Sequence, residues 1–162
     1  MSRRARSFRL RLGRRSVRGI AMLEFTICAP VLLFLMLATA EVGRALFQFN
    51  TLTKSVRDGA RFAVTDAAVA GGTTRVVVIT NQVRNQTRNL VVTGNTAGTG
   101  TPLLPGLTVN NVTVNDIGNG FVSVGATYRY TPMLGATLPT FGFRAPINLS
   151  RQLQATVVMR AL

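Results

Sequence analysis

The sequence predicts an α+β protein, with a long N-terminal helix whose first half spans a membrane and a second helix packed on a small antiparallel sheet. Three observations support this prediction. An apolar run covers residues 20–40, a helical apolar stripe follows it, and the hydrophobic period changes from 3.6 to 2 near residue 107. We therefore expect a basic leader (1–19), a transmembrane helix (20–40), a continuation of that helix (41–70) and an α+β domain (71–162).

The apolar run from Ile20 to Ala40 has the length of a transmembrane helix, because about 20 residues cross the hydrocarbon core. Glu24 lies near its start. An ionisable side chain inside a span costs roughly 2.5–3.5 kcal/mol at mid-bilayer and indicates a function, although a position one turn from the end also allows the headgroup level. We expect the helix to continue to about Ala67, with Pro30 tolerated as a kink.

The positive charge is concentrated at the N-terminus. The chain has 19 basic and 5 acidic residues, a net charge of +14, and Gly19 is preceded by eight arginines. Arginines beside a span hold that end in the cytoplasm, which predicts that residues 41–162 lie outside. A transit peptide is also arginine-rich but lacks the apolar run, and a signal cleaved after Ala40 would interrupt a continuing helical register, so both alternatives rank lower.

Apolar residues continue at helical spacing beyond the run, which predicts one stripe on the extended helix. Its members are Val42, Ala45, Leu46, Phe49, Leu52, Val56, Ala60 and Ala63. Charged residues lie on the other face, where Glu41 with Arg44 and Lys54 with Asp58 have the spacing of ion pairs. The small residues of R-D-G-A-R-F-A-V-T-D-A-A-V-A allow close packing, and we favour packing within the molecule over packing with a neighbouring helix.

The rest of the chain predicts a helix and a sheet. Gly71-Gly72 ends the first helix, and residues 73–92 read as a second amphipathic helix, although Val76–Ile79 has the composition of a strand. Residues 93–106 form a loop. Alternating residues on both sides of Gly118-Asn119-Gly120 predict a hairpin.

A third alternating run, from Leu149 to Met159, completes a three-stranded sheet, to which Leu107–Val109 is an optional fourth strand. The sheet has one apolar face, and the two amphipathic helices are the elements available to cover it.

Residues that catalyse reactions or bind metals are scarce. The chain has no histidine, its five acids are scattered, and Cys28 is its single cysteine. Lys54 is better read as a solvated partner of Asp58 than as a nucleophile. We therefore predict no enzyme, no metal site and no cofactor. A nucleic-acid binder is also disfavoured, because the arginine tail lacks an aromatic stacking platform or a base-reading helix.

Three stretches of the sequence, G-I-A-M-L-E-F, E-V-G-R-A-L-F-Q-F-N-T-L-T and V-R-D-G-A-R-F-A-V, resemble the TadE-like family over about residues 15–65. These proteins are minor pseudopilins of the tight-adherence (Flp-type) pilus assembly and secretion machinery of bacteria. The resemblance implies a pilin-like fold and cleavage after Gly19 by an aspartic prepilin peptidase. Ile20 becomes the new N-terminus and Glu24 the fifth residue, followed by Phe25 where the family usually has tyrosine.

The resemblance also implies a location and a set of partners. The protein is expected in the bacterial inner membrane, with a cytoplasmic N-terminus and a periplasmic domain, and incorporation into the pilus is an option. Its expected partners are prepilin peptidase, other pilins and pseudopilins, the inner-membrane assembly platform and membrane lipid. Cleavage would place a new amine on Ile20 near the Glu24 carboxylate. The alternative is a signal-anchored envelope binding or scaffold protein that is not processed.

Overall fold

A computed structural model describes residues 15–70, 76–133, 135–138, 145 and 147–161. Residues 1–14, which hold most of the predicted leader, lie outside this part. The elements in chain order are α1 (Arg15–Asp66), β1 (Ala68–Ala70), β2 (Val76–Val78), α2 (Asn81–Thr93), a 3₁₀ turn (Val109–Asn111), β3 (Val112–Gly118), β4 (Phe121–Arg129), β5 (Thr137–Leu138), β6 (Ile147–Asn148) and β7 (Gln152–Arg160). The predicted α+β class is confirmed.

The first helix is continuous over 52 residues and contains Pro30. It runs through Gly19, so this glycine does not separate the leader from the apolar run. It ends at Asp66, and the last residues of the predicted segment 41–70 form β1 instead. The chain divides into two compact units, one ending at Thr39 and the other beginning at Ala40.

The first unit contains the apolar half of α1. Among the described residues this helix is the one that is long and apolar enough to cross a membrane, and the side chains of its most apolar window are exposed. Two hydroxyls within it are satisfied by the helix itself, because Thr26 and Thr39 donate to the carbonyls of Met22 and Leu35 at 2.8 Å. Such bonds remove the cost of placing a hydroxyl in hydrocarbon.

The second unit is built on the other half of α1, whose Leu52, Val56, Ala60 and Ala63 are fully buried. Spacings of four and three residues place them on one face, as the apolar stripe predicted. The stripe starts later than predicted, because its earlier members Val42, Leu46 and Phe49 are exposed.

The second helix, α2, is shorter than predicted. Residues Val76–Val78 form β2, which pairs antiparallel with β1, and α2 begins at Asn81. Two features set its ends: the Thr80 hydroxyl accepts from the Val83 amide at 3.2 Å, and Gly94 closes the helix with a φ of 80°. The predicted breaker Gly71-Gly72 lies outside the described residues.

The three-stranded sheet is confirmed, in the order β3-β4-β7 with antiparallel pairing throughout. Asn119 and Gly120 form the hairpin turn with φ of 54° and 80°, which suits residues tolerant of the left-handed region. The optional fourth strand at Leu107–Val109 is absent from this sheet, and the 3₁₀ turn begins at Val109 instead. The core side chains Val122, Val124 and Ala126 of β4 pack in one cluster with residues of both helices.

Candidate functional site

The predicted processing segment lies on the exposed surface of α1. Ile20 and Phe25 are 65% and 70% exposed, and no described atom outside the adjoining helix backbone lies within 4 Å of the position that a Cβ on Gly19 would occupy. Glu24 is exposed as well. Ile20 and Glu24 are four residues apart and therefore lie on one face of the helix. The fold thus brings the cleavage position and the acid together through local helix geometry alone.

Gly19 has helical backbone in this structure. Cleavage would therefore require the helix to unwind locally at this residue. Glycine lowers the cost of leaving the helix by about 1 kcal/mol relative to alanine. The glycine thus makes this position easier to open than an alanine would.

A second polar site joins α1 to the end of β4, and sequence reasoning missed it. Glu41 was predicted to pair with Arg44 on an exposed helix face, but it is only 6% exposed. Its carboxylate accepts hydrogen bonds from the Tyr130 hydroxyl and from the Met133 amide, the latter at 3.1 Å. The Nη1 atom of Arg44 is buried without a hydrogen-bond partner. The predicted ion pair is therefore replaced by a contact across 89 residues of sequence.

The pKa values of Tyr130 and of its neighbour Tyr128 follow from this arrangement. Burial, followed by the hydrogen bond to Glu41 and its charge, raises the pKa of Tyr130 to about 12, while Arg44 opposes the shift. Burial also raises the pKa of Tyr128, again opposed by Arg44. The Tyr128 hydroxyl donates to the Pro105 carbonyl at 3.2 Å. Both phenols therefore remain protonated donors at neutral pH, and they tie the sheet to α1 and to the loop before β3.

The charged face of α1 beyond residue 50 is solvated. Lys54, Arg57, Asp58 and Arg61 are exposed and border a surface groove of about 470 Å³. Within the part of the chain that the structure describes, no group of three or more His, Cys, Asp or Glu residues could hold a metal ion. Cys28 is a free, exposed thiol in the apolar half of α1.

Comparison with known proteins found one similarity, which is confined to the first helix. A family model described as TadE-like protein matches residues 19–61. Over this segment the chain is similar to the TadE-like family. The TadE-like segment begins at Gly19 and contains Ile20, Glu24 and Phe25, and it also holds Glu41. No curated protein and no solved structure matches the chain. The family match suggests a role in assembly of the tight-adherence (Tad) pilus.

Proposed function

We propose that this protein is a minor pseudopilin that takes part in assembly of a tight-adherence pilus and is processed by prepilin peptidase after Gly19. It acts without catalysis of its own, through contacts with other pilins or pseudopilins and with the inner-membrane assembly platform. Its first helix half spans the inner membrane, with the N-terminus in the cytoplasm and the remaining domain in the periplasm. The observation that carries this proposal is the TadE-like match, which begins at the glycine itself.

The geometry of the segment supports processing in two ways. Gly19 is a weak helix former with no other part of the described structure packed against it, so a protease can reach it once the helix unwinds locally. The cut would also leave the new amine of Ile20 one helical turn from the Glu24 carboxylate. Opposite charges at this spacing stabilise a helix start by a few tenths of a kcal/mol, and the helix dipole favours the carboxylate there.

The experiment is intact-mass analysis and N-terminal sequencing of the protein extracted from membranes that contain a working prepilin peptidase. We expect Ile20 as the first residue in the unaltered protein and an uncut chain in Gly19→Leu. Gly43→Leu is the matched control, since Gly43 also lies in α1 with nothing within 4 Å of its Cβ position. That variant should be cut normally.

The outcome also separates the proposal from its alternative. A chain that retains Met1 or Ser2 would refute processing and leave the unprocessed, signal-anchored binding or scaffold protein as the better reading. Normal cutting of Gly19→Leu would place the scissile bond elsewhere in the chain.

A further inference from the structure

A small apolar groove lies at the start of the second unit, between α1 and the segment that leads into β7. It has a volume of about 240 Å³. Its walls include Val42 and Ala45 of α1 on one side and Ile147, Leu149 and Leu153 on the other. Val42 and Ile147 are 59% and 53% exposed, so the groove presents uncovered apolar surface.

Among the described residues that line this groove, Arg151 is the one cation. Arg151 is exposed and lines it together with the apolar side chains. The Glu41 carboxylate is also in the lining, but it accepts hydrogen bonds from Tyr130 and Met133 and is buried. The accessible charge that the described lining residues carry is therefore positive, and it lies beside an apolar surface. This combination complements a ligand that joins an anionic group to a hydrocarbon chain.

The groove also begins next to the predicted membrane span. Val42 follows Ala40, the last residue of that span, by two positions, and two residues of chain reach at most about 7 Å. The headgroup layer is roughly 5–8 Å thick on each side of the hydrocarbon core. The chain connection alone therefore keeps the α1 wall of the groove within reach of lipid headgroups.

We propose that the groove binds one anionic phospholipid of the leaflet nearest to residue 41. The phosphate contacts the Arg151 guanidinium, and the glycerol and the first methylenes lie against Val42, Leu149 and Leu153. The volume is below the ~300–1,000 Å³ of sites that enclose a whole ligand, which fits the polar end of a lipid whose chains remain in the bilayer. This inference rests on the proposed membrane span and is independent of processing.

The test uses the full-length chain in vesicles of phosphatidylcholine and phosphatidylglycerol in equal parts, followed by native mass spectrometry of lipids retained after mild detergent extraction. The arginine-rich leader can also hold anionic lipid, so the informative comparison is between variants that share it. We expect Arg151→Gln to lower retention of phosphatidylglycerol about fivefold, the effect of one arginine at an anionic surface. Arg160→Gln, at the far end of β7, is the control of equal charge and should retain the lipid normally.

A second pair of variants tests the apolar half of the site. Ile147→Ser should lower retention of phosphatidylglycerol because it changes an apolar wall of the groove, whereas Val158→Ser should not, although the two side chains are 53% and 51% exposed. Equal retention by Arg151→Gln and the unaltered chain would overturn the proposal. An equal loss in Arg160→Gln would also overturn it, by showing a diffuse charge effect, and so would a dimer that forms through this groove. An uncut Gly19 would refute processing alone, because every residue of the groove lies beyond residue 40.

Discussion

Gly59 provides a sharp test of how the two helices of the second unit pack. An alanine Cβ at this position would lie 2.5 Å from Cγ2 of Val91 and 3.5 Å from Cγ2 of Thr87, both on α2. Neither neighbour can move easily. Val91 and Thr87 are fully buried, and the Thr87 hydroxyl donates to the Val83 carbonyl at 2.7 Å, which fixes its rotamer.

Two opposing effects set the magnitude. In an exposed helix interior, replacing glycine by alanine stabilises by about 1 kcal/mol. Overpacking a tight core costs roughly 1–3 kcal/mol. A contact 2.5 Å long is well below van der Waals distance, so we expect the overpacking cost to exceed the gain and Gly59→Ala to lose up to about 2 kcal/mol. The control Gly43→Ala, with open space around its Cβ position, should gain up to about 1 kcal/mol.

The assay is reversible unfolding of the detergent-solubilised chain, followed by circular dichroism, with the apolar half of α1 contributing a constant background. Val91→Ala supplies the second mutation of a double-mutant cycle. Because that change removes the clashing methyl, adding Gly59→Ala to it should cost less than in the unaltered chain, with a coupling energy of about 1 kcal/mol or more. If Gly59→Ala proved as stabilising as Gly43→Ala, helix propensity would dominate and the close approach of α1 to α2 would be wrong.

Three further predictions concern other parts of the chain. Tyr130→Phe should destabilise the second unit by about 1.5–3 kcal/mol, because it removes a hydrogen bond to a carboxylate, and Tyr128→Phe by about 0.5–1.5 kcal/mol, because it removes one to a carbonyl. The raised pKa of Tyr130 means that its contribution is complete below pH 10 and is lost as pH rises towards 12, so unfolding titrations of Tyr130→Phe should show a smaller alkaline loss than the unaltered chain. A cysteine in place of Thr99, which is exposed in a loop, should react with an impermeant thiol reagent in intact spheroplasts on a Cys28→Ser background, and labelling that needed lysis would reverse the topology. Glu24→Ala should insert into the membrane normally but impair pilus assembly, and normal piliation of that strain would remove any role for the acid.

Local periodicity predicted most of the fold. The buried residues Leu52, Val56 and Ala60 recur at helical spacing, and the alternating valines around Asn119-Gly120 form the predicted hairpin. The prediction failed where local signals competed. The valines of β2 fit the helical period and also have high strand propensity. They form a strand in the structure because they pair with β1. A single sequence contains no direct sign of that partner.

The sequence likewise predicted the local part of the candidate site and missed the part that depends on long-range contacts. Gly19, Ile20 and Glu24 form a local motif, so spacing and charge were enough to single them out. The Glu41 contact with Tyr130 joins residues 89 positions apart, and no local pattern indicates it. The nearest signal is the alternation of apolar residues along β4, which continues to Tyr130 and puts this side chain on the apolar face of the sheet. A buried phenol there needs a polar partner, but its identity depends on how α1 packs.

Glu24 and Glu41 lie on the same helix in different environments. Glu41 is buried, and its carboxylate accepts hydrogen bonds from Tyr130 and from the backbone amide of Met133. Glu24 is exposed on the apolar half of α1, and no described residue donates a hydrogen bond to its side chain. A carboxylate placed in hydrocarbon without a partner is costly, and either the headgroup level or a positive charge from outside this helical segment would lower that cost at Glu24. The amine created by cleavage at Ile20, or the same amine of a neighbouring subunit, has the required charge and appears only after processing. We therefore expect the two experiments to agree: if the chain is not cut after Gly19, Glu24→Ala should not impair pilus assembly either.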